Sequence, residues 1–175
     1  EIMFLKINHI IFLFAILFAV TSVSGQKKKS SKLNDEEQLL VSRIFTDGCK
    51  ASINLNYTEA RDLFTKCIRL NPGHAPSYYE LAVIEFSSGD YKEALSLAEK
   101  ATELDADNKW YTLLLADIYR RTGKFKDAIK TYEKLIEKEP HSTDLYIELA
   151  TTYLYDRKTI EAIGVLDRLE KENGF

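Results

Sequence analysis

The fold of this chain is decided by residues 108–140, NKWYTLLLADIYRRTGKFKDAIKTYEKLIEKEP. The first half of the stretch, to Arg121, is apolar around most of its circumference, which predicts a helix that is covered on more than one side. Apolar residues of the second half recur at steps of three and four, the spacing of one helix face; they are Phe125, Ala128, Ile129, Tyr132, Leu135 and Ile136. Gly123 lies between the halves and suits a helix-ending backbone, and Pro140 closes the unit because proline cannot continue a helix. The stretch therefore predicts two helices joined by a short turn.

The same unit recurs with a period of 34 residues, so that small, aliphatic and aromatic residues form columns. The columns are Gly48, Ala82, Ala116 and Ala150; Ala60, Ala94, Ala128 and Ala162; Leu81, Leu115 and Leu149; and Tyr57, Tyr91 and Phe125. Helix axes that pack about 8–10 Å apart need small side chains at the contact, so the small columns predict where helices meet. Because a single helix pair cannot bury its apolar face alone, we expect neighbouring pairs to stack.

A helix–turn–helix period of 34 residues with small, aromatic and proline columns resembles the tetratricopeptide repeat family. The resemblance extends over about four repeats, residues 41–175. It implies an all-α fold, a right-handed superhelical solenoid of antiparallel helix pairs. The first and fourth copies depart most from the pattern: Asp47 replaces the column leucine and Leu55 the turn glycine in the first, while Arg157 and Thr159 replace the glycine and the aromatic residue in the fourth.

Composition and missing motifs argue against several classes of function. The 175 residues are 45% hydrophobic and 29% charged, as in an ordinary soluble domain. The formal net charge of −3 gives no electrostatic footprint for nucleic acid. The sequence contains no zinc-hydrolase, phosphate-loop, dinucleotide or nucleophile-elbow motif. We therefore predict no catalytic activity, no cofactor, no metal site, no small-molecule substrate and no nucleic-acid partner.

Residues 1–25 are predicted to lie outside the solenoid. Lys6 precedes an apolar run over residues 10–20, and small residues follow as far as Gly25. This order is typical of a secretory signal peptide. Cleavage after Gly25 would leave a basic linker at 26–33 and the solenoid at 34–175. We therefore predict an exported protein, either periplasmic or envelope-associated.

The lysines after the apolar run leave a second location open. Lys27, Lys28, Lys29 and Lys32 outnumber Lys6, and positive charge tends to stay on the cytoplasmic side of a membrane. Residues 4–23 would then be an uncleaved anchor, residues 1–32 would contact the membrane, and the solenoid would be a tethered cytoplasmic adaptor.

The end of the sequence suggests a third alternative. The fourth unit closes at Gly174 without the polar capping helix that solenoids usually need for solubility. We therefore expect the repeat array to continue beyond residue 175. In that case this segment would be the regulatory part of a longer protein with a downstream effector domain.

The two cysteines, Cys49 and Cys67, are predicted to lie on the two helices of one unit. Export would permit a disulfide between them. Cys67, however, occupies a column that is otherwise held by Ala101, Leu135 and Leu169, which predicts a small core residue. The sequence leaves the pairing open.

The resemblance implies that the first helix of each repeat lines a concave groove. Carried over onto this sequence, the candidate partner-binding residues are Tyr79, Val83, Phe86, Trp110, Leu113, Asp117, Arg120, Arg121, Thr151 and Tyr155. Further groove-facing positions are Phe45, Cys49, Ser52, Ile53, Ser87, Ile147 and Leu154. Aromatic and arginine side chains often dominate binding energies. Arg120 and Arg121 either pair with a carboxylate of the ligand or form a solvated helix end.

Phe45 and Cys49 stand where the carboxylate clamp of family members has its lysine and asparagine. Because this polar clamp is missing, we do not expect a co-chaperone role. An aromatic and aliphatic groove favours a helix or extended peptide with apolar anchors. The predicted function is therefore a non-catalytic scaffold or adaptor that binds another protein.

Overall fold

The computed structural model describes residues 33–174, and this part of the chain contains eight α-helices and no strand. The helices are α1 (Asp35–Ile53), α2 (Tyr57–Leu70), α3 (Ala75–Ser88), α4 (Tyr91–Leu104), α5 (Lys109–Arg121), α6 (Phe125–Lys138), α7 (Thr143–Tyr155) and α8 (Thr159–Asn173). The predicted all-α fold of four helix pairs is confirmed. The predicted signal peptide or anchor lies outside the described residues, as does almost all of the basic linker. None of the helices within 33–174 combines the length and the apolarity that a membrane span requires.

Several helices begin at a polar side chain that accepts a backbone hydrogen bond. The Asn56 side chain accepts from the backbone N of Glu59 at 3.4 Å, and Asp90 accepts from that of Glu93 at 3.1 Å. These bonds satisfy N–H groups that have no partner inside the helix. The two second helices α2 and α4 therefore start where their sequences place an Asn or Asp.

The turn inside each helix pair uses the left-handed backbone region at the same repeat position. Gly89 and Gly123 have φ values of 87° and 74°, and Leu55 and Arg157 both have φ of 60°. A residue with a Cβ atom loses about 1–2 kcal/mol in this conformation. The first and fourth pairs therefore keep the turn geometry of the family while lacking the residue that adopts it without strain.

The small columns mark the contacts between helices, as predicted. Ala60, Ala94 and Ala128 have no exposed surface. A Cβ atom added to Gly48 would lie 2.6 Å from Cε1 of Phe64, so that only glycine fits beside this ring. The interpretation of these columns as close helix contacts is confirmed.

The buried clusters show how the helix pairs stack. One cluster joins residues of α1, α2 and α3, a second joins α3, α4 and α5, and a third joins α5, α6, α7 and α8. Each pair thus shares its core with the first helix of the next pair. We call the contacts of the first pair with α3, of the second pair with α5, and of the third pair with α7 the first, second and third junctions.

The three junctions have different residue pairs at one equivalent pair of positions. In the first junction, Arg61 donates two parallel hydrogen bonds to Glu85 through one edge of its guanidinium group, with Nε–Oε1 at 2.6 Å and Nη2–Oε2 at 3.0 Å. The Glu85 side chain is only 11% exposed. The equivalent pairs, Leu95 with Tyr119 in the second junction and Ile129 with Tyr153 in the third, are apolar and pack against the buried clusters. An ion pair therefore replaces apolar packing in the first junction.

Candidate partner-binding surface

The ten predicted site residues lie on the first helices α3, α5 and α7, and we call the surface that they are predicted to share the groove face. Seven of the ten are half-buried: Tyr79, Val83, Phe86, Leu113, Asp117, Arg120 and Thr151. The other three, Trp110, Arg121 and Tyr155, are exposed. Half-burial holds a side chain on one edge and leaves another edge free, so this face combines fixed side chains with accessible surface.

Aromatic rings of α3 are held by neighbouring rings. The Tyr79 ring centroid lies 5.0 Å from that of Tyr111 on α5, and Phe86 lies 5.6 Å from Tyr91 on α4. Offset or tilted aromatic pairs of this kind add about 0.5–1.5 kcal/mol beyond the area that they bury. The rings are therefore oriented before any partner arrives.

Two large side chains extend from this face into solvent. Trp110 is 60% exposed and Tyr155 is 61% exposed. The ammonium group of Lys109 lies 5.3 Å from the centroid of the Trp110 ring. Most of the indole surface is exposed to solvent. Exposed aromatic side chains such as these are frequent centres of binding energy.

Arg120 has internal partners. Its Nη2 lies 2.6 Å from Oδ1 of Asp117 and 2.9 Å from Oε2 of Glu148 on α7. The hydroxyl of Tyr132 donates to the same Asp117 oxygen at 2.9 Å. Burial, together with the nearby Asp117 carboxylate, raises the pKa of Tyr132 far above its usual value, so the hydroxyl keeps its proton. Arg120 therefore joins two repeats rather than standing free for a ligand carboxylate.

Arg121 points to a different part of the molecule. Its Nη2 donates to the Tyr91 hydroxyl at 3.3 Å, and its Cζ lies 5.9 Å from the centroid of that ring. The adjacent arginines are thus separated, one in the third junction and one over the start of α4. The geometry does not bring them together as a pair.

The groove face also has one equivalent pair of positions at each of the three junctions. These pairs were not predicted from the sequence. The first contains Ser52 and Glu80, the second Phe86 and Leu114, and the third Arg120 and Glu148. The members of each pair are 28 residues apart in the sequence. A search for charged or aromatic residues at this offset, added to the 34-residue period, would have found the contact between Arg120 and Glu148.

Within residues 33–174, Glu80 differs from Glu148 because it forms no ion pair. Glu80 is half-buried, and burial raises the pKa of its carboxyl group. None of the ion pairs found within residues 33–174 includes it. On α1 the Glu80 charge acts on Cys49, whose pKa is raised by burial and then by that charge. The first junction therefore carries an unpaired negative charge on the groove face.

Both cysteines are free thiols, and Cys67 is fully buried. Its Sγ donates a weak hydrogen bond to the backbone oxygen of Val41 at 3.6 Å. The prediction that Cys67 is a small core residue is confirmed. Residues 33–174 contain no group of three or more His, Cys, Asp or Glu side chains that could hold a metal ion.

The stacked helix pairs and the half-buried aromatic face define a helical-hairpin repeat protein. Comparison with family models identifies the repeats: models described as "Tetratricopeptide repeat" match residues 56–118, 85–138 and 113–174. The chain belongs to the tetratricopeptide repeat family. A comparison with curated protein sequences gives no match.

Solved structures with the same fold include three that illustrate its range. The MamA protein has a TM-score of 0.70 and 20% identity, over 77% of this chain and 73% of that chain. YrrB, described as a TPR protein with an unusual peptide-binding site, has a TM-score of 0.68 and 20% identity, over 80% of this chain and 71% of that one. A tetratricopeptide repeat protein from Parabacteroides merdae has a TM-score of 0.60 and 17% identity, over 75% of this chain and 52% of that one. At these identities the likeness concerns the fold.

Proposed function

We propose that this protein is a non-catalytic scaffold that holds a segment of another protein on its groove face. The proposal is supported by the exposure of Trp110 on α5 and Tyr155 on α7, two first helices that follow α3 with its half-buried rings of Tyr79 and Phe86. Apolar side chains that are exposed together mark interaction sites. The peptide-binding site named for the similar structure YrrB supports a peptide ligand.

The bound segment is a helix or an extended peptide with apolar anchors. The half-buried residues Val83, Leu113 and Thr151 offer contact area between the aromatic side chains and carry no charge. Because the two arginines have internal contacts, a ligand carboxylate gains little at this face. This supports the expectation that the protein does not act as a carboxylate clamp.

A selection from a display library of random twelve-residue peptides, with the full 175-residue chain as target, tests the proposal. We expect the double variant Trp110→Ala, Tyr155→Ala to lose at least about tenfold in affinity for the enriched peptides, because truncating central aromatic contacts costs about 2 kcal/mol or more. The control is Tyr57→Ala, since Tyr57 is also an exposed tyrosine but lies on α2. Equal losses in the control, or no enriched peptides, would overturn the proposal.

The location of the protein is a separate proposal that depends on residues 1–32. Their order of lysine, apolar run and small residues favours export to the envelope, whereas the lysines after the run favour a membrane-tethered form. Mass spectrometry of the N-terminus distinguishes the two. A chain that starts at Gln26 supports export, and an intact leader supports the anchor.

A further inference from the structure

The third junction shows how the groove face holds a basic side chain. Arg120 lies between Asp117 on its own helix and Glu148 on the next first helix, at 2.6 and 2.9 Å. The Arg120 side chain is largely covered, and its Cζ also lies 5.9 Å from the Tyr155 ring centroid. The bond to Asp117 is a charge-assisted hydrogen bond, which is about twice as strong as a neutral one, and the contact with Glu148 is an ion pair. The repeat backbone thus presents a position at which a guanidinium group bridges two first helices.

The first junction has one of the two acidic residues of this arrangement, because Cys49 stands at the position of Asp117, and it lacks the basic residue. Glu80 is equivalent to Glu148, whereas Ser52 stands at the position of Arg120. Ser52 carries no charge and is much shorter than arginine, and no ion pair within residues 33–174 supplies a cation to Glu80 in its place. The Ser52 hydroxyl is covered and has no hydrogen-bond partner within residues 33–174. The electrostatic complement of Glu80 is therefore missing from the described part of the chain.

An unpaired carboxylate at this depth favours a cationic ligand. A partly desolvated charge is costly unless it is paired. The Glu80 charge contributes to the raised pKa values of Cys49, Tyr79 and Tyr111, and none of these groups is a cation. A basic side chain from a partner would supply the missing charge.

The surroundings of Glu80 also indicate what lies next to that basic side chain. Tyr79 precedes it on α3, and the second junction continues the groove face with Phe86 and Leu114, which pack against a buried cluster. Guanidinium groups stack on aromatic rings, and the partly exposed Phe86 and Leu114 offer apolar contacts at the second junction. The chemistry of the face therefore changes from anionic to apolar between the first and second junctions.

We propose that the first junction of the groove face binds an arginine or lysine side chain of a partner polypeptide, with an apolar residue of the same segment on the second junction. The bound cation takes the role at Ser52 and Glu80 that Arg120 takes beside Glu148. This inference rests on the proposed function, because it names the chemistry of a segment that the same face binds.

The peptides selected against the full chain test the proposal. We expect them to contain arginine or lysine beside an apolar residue, and we expect replacement of that arginine by citrulline, its neutral isostere, to weaken binding. Glu80→Gln should reduce affinity by about tenfold to a hundredfold, since hydrogen bonds to charged groups contribute about 1.5–3 kcal/mol. Glu137→Gln is the matched control, because Glu137 is an exposed glutamate on α6. It should leave affinity unchanged.

Ser52→Arg provides a second, independent variant. It gives the first junction an internal cation like that of the third, so the folded protein should no longer prefer basic peptides. Circular dichroism checks that helix content is unchanged in both variants. If peptides bind in a manner that depends on Trp110 and Tyr155 but neither Glu80→Gln nor Ser52→Arg changes their affinity, this inference is wrong and the proposed function stands. If the selection enriches no peptide at all, both fail.

Discussion

The first and third repeats share one backbone plan but differ in side chains at equivalent positions. Leu115 is buried in the third repeat, whereas the equivalent Asp47 is exposed and pairs with Lys50 at 3.0 Å. The small residues Gly48 and Ala116 are buried in both. The comparison shows that the small columns maintain the stacking, while the residue type at the other positions follows whether the position is buried or exposed.

The same comparison holds at the junctions. The first junction contains the ion pair between Arg61 and Glu85 where the third has apolar packing, and it leaves Glu80 unpaired where the third has an ion pair on the groove face. The two junctions thus place their charges on different faces. A charge that has an internal partner contributes to stacking, and a charge that has none is available to a ligand.

Truncation of the column leucine should have the largest effect. Leu115→Ala is expected to lower the free energy of unfolding by about 2–5 kcal/mol, because it removes buried methyl groups and leaves a cavity. The matched change Asp47→Ala, at the equivalent exposed position, should stay within about 0.5 kcal/mol. Urea denaturation followed by circular dichroism measures both. Similar losses would contradict the assignment of the two environments.

Breaking the ion pair of the first junction should have the second largest effect. Arg61→Leu leaves the covered Glu85 carboxylate without its cation and should cost about 2 kcal/mol, less than for a fully buried pair because the arginine side is partly exposed. The double variant Arg61→Leu, Glu85→Tyr recreates the Leu95 and Tyr119 pair of the second junction. Its free energy of unfolding should return to within about 1 kcal/mol of the parent value. A double variant as unstable as the single one would show that the junctions are not interchangeable.

Substitutions in the hairpin turns should change the free energy of unfolding by a smaller amount. Leu55→Gly is expected to raise the free energy of unfolding by about 1 kcal/mol, because glycine adopts the positive φ of this turn without a Cβ clash. Leu55 is 71% exposed, so little apolar contact is lost. The reverse change, Gly123→Leu, should lower stability by a similar amount. Thermal denaturation of the two variants tests the comparison, and a loss of stability in Leu55→Gly would refute it.

The smallest expected effect is the contribution of Glu80 to the pH dependence of stability. Because burial raises its folded-state pKa above the unfolded value, the fold favours the protonated carboxyl group, and stability is lost as the pH rises from the unfolded pKa through the folded one. Glu80→Gln removes this loss. The variant should therefore be more stable than the parent at pH 7 by less than about 1 kcal/mol, since solvent screens a half-exposed group.

At pH 4 the variant and the parent should be equally stable, because Glu80 is then mostly protonated in both the folded and unfolded states. Denaturation curves of the two proteins at both pH values give the difference directly. A variant that is less stable than the parent at pH 7 would mean that Glu80 has an internal partner.

The repeat period predicted the fold because each column has one physical cause. The alanines at 60, 94 and 128 are buried where helices meet, and the turn positions at Leu55 and Gly123 share one backbone conformation. Each of these could be predicted from one residue and its equivalents.

The candidate site was harder to predict because it depends on pairs of residues. Arg120 was predicted as a ligand contact, but its charge is shared with Asp117 and Glu148. The contact with Glu148 depends on which residue lies one repeat further along the chain and on how its side chain is oriented. The acidic character of Glu80 was overlooked for the same reason, since it becomes informative only when Ser52 is compared with Arg120.

Site-specific photocrosslinking shows whether the groove face holds a bound polypeptide. A photoreactive residue replaces either Ser87 on α3 or Ser96 on α4, two exposed serines on a first and a second helix. With a selected peptide bound, we expect crosslinks from position 87 and none from position 96. Crosslinks from position 96 alone would contradict this expectation.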